Sequence, residues 1–192
     1  MKSRPKYEQM HDVITGILFS GAFGVLIYEF TILLTEGTKV DFIVASAYWI
    51  FYIILLLACV RLLQQYLQFF RKIGSGNMQD YYIDTIHAFL GYGCVLTIIR
   101  PTLMFSFITL LYISDAYQCD YIIKKYVNQL NKKQRSQLNK WKKHDIFWYL
   151  PVTVIGMIIY LLTDLLIISA IIMLGFMIYR TIVGKHEKHI NE

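Results

Sequence analysis

Charged residues are scarce in this chain. Asp, Glu, Lys and Arg make up 17% of its 192 residues, against about 25% in soluble domains. Hydrophobic residues reach 56%, which is more than a soluble domain of this size can bury. A bilayer can accommodate that apolar surface, so the composition indicates an integral membrane protein. The basic residues behind the net charge of +6 lie between apolar runs. Membrane orientation explains that placement better than nucleic-acid binding does.

The chain has three cysteines. Cys59, Cys94 and Cys119 lie in apolar runs, and the sequence has no CxxC pair and no Cys/His group with zinc spacing. This pattern argues against a disulfide framework and against a structural metal. We therefore expect the three thiols to pack as small apolar side chains, and we expect no cofactor.

Long apolar runs are abundant. A membrane-spanning helix needs roughly 20 apolar residues, and the runs 13–34 and 42–64 have that length. Two longer runs are interrupted, one by Arg100-Pro101 and one by Thr163-Asp164. Because a proline disfavours helix at the residue before it, and because charge inside a bilayer is costly, we split both runs. The remaining predicted helices are 81–99, 102–123, 147–163 and 165–183.

The predicted fold class is therefore all-α. The whole chain, 1–192, forms a single bundle of six transmembrane helices arranged as three hairpins. With six crossings, every Lys and Arg except Lys39 and Arg100 falls on one side of the membrane or at a helix end on that side. Cytoplasmic segments are enriched in Lys and Arg. Both termini are thus predicted to be cytoplasmic, in the plasma or inner membrane.

The segment 124–143 contains eight basic residues and no acidic one. Its apolar residues recur near helical spacing, which predicts a basic amphipathic helix on the cytoplasmic leaflet. Anionic headgroups would then be the partners of its cations. The predicted membrane-surface residues are Lys124, Lys125, Lys132, Lys133, Arg135, Lys140, Lys142 and Lys143.

Four ionisable residues fall at one depth in the third and fourth predicted helices. Asp84 and His87 are three residues apart on the third helix, and Asp115 and Asp120 lie near the end of the fourth. Ionisable groups inside a bilayer usually face a bundle interior or a water-filled cavity. We predict that these four line a cytoplasm-facing cation or proton site. An interfacial collar that reaches water is the alternative interpretation.

A second pattern suggests an enzyme. His87-Ala88 is followed by Cys94, seven residues after the histidine and about two helical turns further along one face. A catalytic thiolate needs a base nearby. The pattern resembles the His-Ala-x5-Cys segment of Agr-type membrane peptidases, which mature quorum-sensing peptides. The resemblance covers these eight positions and implies that His87 and Cys94 are the catalytic residues.

The leading hypothesis is a non-enzymatic pore, transporter subunit or membrane accessory protein. The peptidase is one alternative, and an immunity or regulatory protein that acts by binding a partner is another. Gly16, Ser20 and Gly24 recur at a spacing of four, which favours close helix contacts in lipid. A homo-oligomer, or a complex with another membrane protein, is expected.

Overall fold

The computed structural model describes residues 42–65, 78–98 and 100–190, together with scattered positions between 13 and 35. All secondary structure in this part of the chain is helical, and the scattered positions are helical too. Residues 1–12, 36–41 and 66–77 lie outside the described residues, as does part of the predicted helix 13–34. The elements are α1 Phe42–Gln65, α2 Met78–Leu96, α3 Pro101–Lys125, α4 Lys132–His144, a π-helical turn Asp145–Tyr149, α5 Leu150–Thr163 and α6 Leu166–Ile190.

The helices break at the two places where the sequence interrupts its long apolar runs. Pro101 occupies the first turn of α3, where its missing N–H costs nothing. Asp164 caps the end of α5 in the left-handed conformation, with φ 55°, and its backbone N–H bonds the carbonyl of Tyr160 at 2.8 Å. Both breaks reverse the chain, so α2 packs along α3 and α5 packs along α6.

Within the described residues, one continuous helix is long and apolar enough to span a bilayer. It runs 32 residues, Lys132–Thr163, through α4, the π-helical turn and α5. Ile43–Leu55 and Leu166–Tyr179 are shorter apolar helical stretches. The fold is thus all-α, as the sequence predicts, whereas six crossings remain a prediction.

The basic segment differs from the single surface helix predicted at 124–143. Lys124 and Lys125 belong to the last turn of α3, and a new helix begins at Lys132. The first helix ends at its C-cap residue Tyr126, whose N–H bonds the carbonyl of Ile122 at 3.0 Å, and Asn131 caps the start of the second. Its side chain accepts the N–H of Gln134 at 2.8 Å, and the side chain of Gln134 accepts the N–H of Asn131 at 3.0 Å. The second helix then runs into α5 without a break, so it extends that helix.

The apolar core fills the half of the bundle where α2 ends and α3 begins. It unites residues of α1, α2, α3 and α6, with the ring of Phe51 edge-on to that of Phe105 at 5.6 Å. A smaller cluster at the other end joins α3 to α4 around Leu138 and Cys119. Between the two, Tyr149 of the π-helical turn stacks on Tyr112 at 5.2 Å. The larger apolar core therefore closes one end of the bundle, whereas the other end combines the smaller cluster with polar side chains.

The small residues Gly16, Ser20 and Gly24 face outward. All three are exposed, and a Cβ built on either glycine meets no atom within 4 Å. The close approach in this segment is at Gly21, where a built Cβ lies 3.3 Å from the ring of Tyr92. The described part of the chain therefore approaches α2 through Gly21 and leaves the predicted stripe uncovered.

Candidate functional site: a polar seam between α2 and α3

Polar side chains line the contact between α2 and α3 at the end opposite the apolar core. Asp80, Asp84 and His87 recur at intervals of four and three along α2. Such spacing places side chains on one helix face. The facing residues of α3 are Ser114, Gln118 and Lys125, which share one face of their own helix. We call these six residues the inner polar seam.

Hydrogen bonds join the two sides of the inner polar seam at three levels. The Nδ1 atom of His87 lies 3.4 Å from the Oγ atom of Ser114. The side-chain amide of Gln118 donates to the carboxylate of Asp84. The ammonium group of Lys125 lies 2.9 Å from the Oδ1 atom of Asp80. From Asp80 to His87, these three contacts span roughly 10 Å along the axis of α2.

The open end of the seam carries its strongest electrostatic contact. Asp80 also accepts the hydroxyl of Tyr126, and Lys125 also donates to the hydroxyl of Tyr121. Although partial burial lowers the pKa of Lys125, its hydrogen bonds to Tyr121 and Asp80 raise that pKa above the ordinary lysine value. A protonated lysine therefore stays paired with Asp80 through the physiological pH range.

The side chains of the inner polar seam become more buried with distance from its open end. Gln118 and His87 are both buried, and Asp84 between them is half-buried. A buried carboxylate or imidazole is costly unless it is hydrogen-bonded, which explains why each has a polar group opposite it. This arrangement can hold or pass a proton, because Asp84 and His87 can both donate or accept one.

The structure places the four residues of the predicted cation or proton site at three separate positions. Asp84 and His87 lie together in the seam. Asp115 is buried, with 4% exposure, but it follows Ser114 and so points about 100° away from the seam-facing side of α3. Asp120 lies two residues after Gln118, about 200° around the helix.

Asp120 instead ties α3 to α4. Its carboxylate lies 2.6 Å from the ammonium of Lys124 and also pairs with Lys142. The hydrogen bond to Asp120, together with its negative charge, raises the pKa of Lys124. Asp120 is thus engaged with two cations and lies apart from the Asp84–His87 pair.

The eight basic residues of the predicted membrane surface also divide. Four of them make contacts within the protein: Lys125 pairs with Asp80, Lys124 and Lys142 pair with Asp120, and Arg135 donates to the carbonyl of Val127 at 2.8 Å. Five of the eight side chains are exposed, one at the end of α3 and four on α4; they are Lys124, Lys132, Lys133, Lys140 and Lys143.

The predicted catalytic pair has little access to substrate. Cys94 is 1% exposed and belongs to the apolar core, beside Val95 and Ile98. His87 turns its Nδ1 atom toward Ser114, on the neighbouring helix. Along α2 the two residues are separated by about 10 Å of helix rise.

Sequence reasoning misses four residues as members of the seam: Asp80, which lies just before the predicted helix 81–99, and Ser114, Gln118 and Lys125. The regular spacing of polar residues on α2 was a usable signal, but their partners on α3 depend on which helix faces lie together. In the part of the chain that the structure describes, no group of three or more His, Cys, Asp or Glu side chains is arranged to hold a metal. Comparison with protein-family models, curated proteins and solved structures finds no match to this chain.

Proposed function

We propose that this chain is a non-enzymatic, multi-pass membrane protein, a transporter subunit or accessory protein, whose inner polar seam takes up a proton or a small cation from the cytoplasm. The observation that carries this proposal is the ladder of hydrogen bonds that links Asp80, Asp84 and His87 to α3. Placing three ionisable groups on one helix face is costly in a bilayer, so a functional reason for them is favoured.

The exposed surface supports a membrane location. Large apolar side chains are exposed on every described helix that crosses the bundle; examples are Ile53, Phe89, Leu110 and Leu162. In the most apolar window of the helix Lys132–Thr163, only 11% of residues are buried inside the protein. The core helix of a soluble protein would be mostly buried, whereas a helix that faces lipid leaves its apolar side chains uncovered. Six crossings, with the polar seam on the cytoplasmic side, fit this surface and the distribution of basic residues.

The closed end of the bundle favours a subunit or accessory protein over an open pore. Beyond His87, the chain continues with Cys94 and Val95 of α2 and with Ile98 after it, which belong to one apolar cluster with Met104 and Phe105. These side chains are at most 1% exposed, so the polar path ends within the bundle. A proton that enters the seam would therefore change its charge and packing rather than pass through this chain.

Carbodiimide labelling tests the proposal. A lipid-soluble carbodiimide adds to a protonated carboxyl group and leaves a stable N-acylurea that mass spectrometry can locate. In the full chain in nanodiscs, we expect an adduct on Asp84 at low pH that diminishes as the pH rises. If the site also takes a small cation, Na⁺ or K⁺ at constant pH should protect Asp84.

The control is Asp164, an exposed carboxylate at the other end of the bundle. Its labelling should not respond to Na⁺ or K⁺, and Asp164→Asn should leave the labelling of Asp84 intact. No adduct on Asp84 between pH 5 and pH 9, or an adduct that is insensitive to pH, would contradict the proposal.

The other hypotheses draw less support. A buried Cys94 disfavours the peptidase, because a nucleophile must reach its substrate. An immunity or regulatory protein remains the second candidate, since exposed apolar faces also suit a membrane-protein partner or a second copy of the chain. The exposed lysines of α4 suit an anionic leaflet in either case.

A further inference from the structure

A cavity lies at the end of the bundle opposite the inner polar seam. It forms where α1 and α3 begin and where α5 turns into α6, and its volume is about 140 Å³. We propose that this outer cavity binds a small organic monocation of the quaternary ammonium type. Its size, its single carboxylate and its aromatic walls suit such a cation, independently of the inner polar seam.

Asp164 supplies the negative charge of the outer cavity. Its side chain makes no hydrogen bond or ion pair with the residues that the structure describes. It is also the only described residue other than glycine with a positive φ. Glycine adopts this helix-ending conformation at lower cost than any residue with a side chain. The chain thus holds a carboxylate at the rim of the cavity, in a conformation that Asp adopts more readily than most residues other than glycine.

The remaining walls are aromatic and apolar. Tyr48 and Tyr160 line the cavity together with Ile43, Pro101 and Leu166. Aromatic rings attract cations, most strongly where water is excluded. A metal ion such as Ca²⁺ needs about six to eight oxygen ligands, and one carboxylate with two phenols falls short of that number. An organic cation carries apolar substituents that these walls can cover, so it is the better match.

The volume sets the size of the ligand. An apolar cavity of about 150 Å³ accommodates benzene, so the outer cavity suits a group of similar bulk. Tetramethylammonium, or the trimethylammonium end of a larger molecule, has that bulk. The cavity opens at helix ends, where lipid headgroups also lie if the helices span a bilayer. The ligand is thus either a free solute or a choline headgroup, which share the same chemistry.

A thermal unfolding experiment tests the inference. A ligand that binds the folded state raises the midpoint of unfolding as its concentration rises. In nanodiscs of phosphatidylglycerol, tetramethylammonium chloride should raise the midpoint of the full chain. NaCl at equal ionic strength should not, and neither should 3,3-dimethyl-1-butanol, the neutral isostere of choline. Equal shifts with the neutral isostere would overturn the proposal.

Two variants sharpen the test. Asp164→Asn keeps the shape of the side chain and tolerates the left-handed conformation, so it should fold and lose the response. Arg100→Gln removes an exposed charge beside Pro101 without altering the cavity lining, and it should keep the response. An unchanged response in Asp164→Asn would reject the site.

A comparison of nanodiscs made from two lipids distinguishes a free solute from a choline headgroup as the ligand. If phosphatidylcholine supplies the group, nanodiscs of that lipid should weaken the response to tetramethylammonium, because the headgroup already occupies the cavity. If the ligand is a free solute, both lipids should give the same response. Absence of any response in phosphatidylglycerol would overturn the proposal whatever the result in phosphatidylcholine.

Discussion

The ammonium group of Lys125 lies 2.9 Å from the carboxylate of Asp80, and this pair joins the last turn of α3 to the first turn of α2. The residues are 45 positions apart. Their side chains are 23% and 15% exposed, so solvent screens the pair only in part. The contact lies at the open end of the inner polar seam, on the same faces of α2 and α3 where Asp84 meets Gln118 and His87 meets Ser114.

Replacing Lys125 by Met should therefore destabilise the bundle. Asp80 would keep the hydroxyl of Tyr126 as a partner but lose its cation, and we expect a loss of about 1–3 kcal/mol. The midpoint of thermal unfolding in detergent measures it. Lys124→Met is the matched control, because Lys124 is 76% exposed and exposed pairs contribute little. Equal effects of the two substitutions would show that the seam contact does not hold the helices together.

Gly93→Ala should destabilise the contact between α2 and α3. A Cβ at this position would lie 2.5 Å from the ring of Phe107, so the ring or the helices must shift. Overpacking of this kind costs about 1–3 kcal/mol. Gly175→Ala is the control, because a Cβ there meets no atom within 4 Å, and it should be neutral or slightly stabilising. Phe107→Leu, which removes the ring, should restore part of the stability lost in Gly93→Ala.

Cys94→Ala separates the proposed function from the peptidase. The thiol lies in the apolar core and away from the seam, so the carbodiimide labelling of Asp84 and its pH dependence should persist in the variant. A small loss of stability is expected from the missing sulfur. If Cys94→Ala folds and yet loses a peptide-cleaving activity that the unaltered chain possesses, the non-enzymatic proposal fails.

A single cysteine placed at Ser136 tests the orientation. Ser136 is exposed on α4, and in a background without the native cysteines it should react with a membrane-impermeant maleimide only after the membrane is opened. A cysteine at Leu162, exposed at the far end of α5, should react from outside in intact cells. The reverse pattern would invert the proposed topology.

The exposed lysines of α4 should retain anionic lipid. Each basic residue near an anionic leaflet contributes roughly 1 kcal/mol. Changing Lys132, Lys133 and Lys140 to Gln should lower the amount of phosphatidylglycerol that copurifies with the protein, and salt should reduce retention by the unaltered chain. Arg135→Gln is a comparison, since Arg135 is partly used in bonding Val127 and should affect lipid retention less. Equal retention by the triple variant would count against the electrostatic contact.

The sequence by itself determined the helical class and the positions of two of the breaks. Proline at the start of α3 and a polar pair at the end of α5 interrupt apolar runs that are otherwise uniform, and these are local backbone effects that need no tertiary contact. It also placed Asp84 and His87 on one face of α2, because that relationship depends only on helical periodicity.

Only the tertiary structure decided which polar groups meet. Gln118 and Asp120 are two residues apart, yet one lies against Asp84 and the other pairs with Lys142 of α4. The physical reason is that a helix turns about 100° per residue, so the partner of each side chain depends on how neighbouring helices are rotated and aligned. The rotation and alignment of the helices follow from packing throughout the bundle, including the close contact between Gly93 and Phe107. The residue pattern of a single helix does not contain that information.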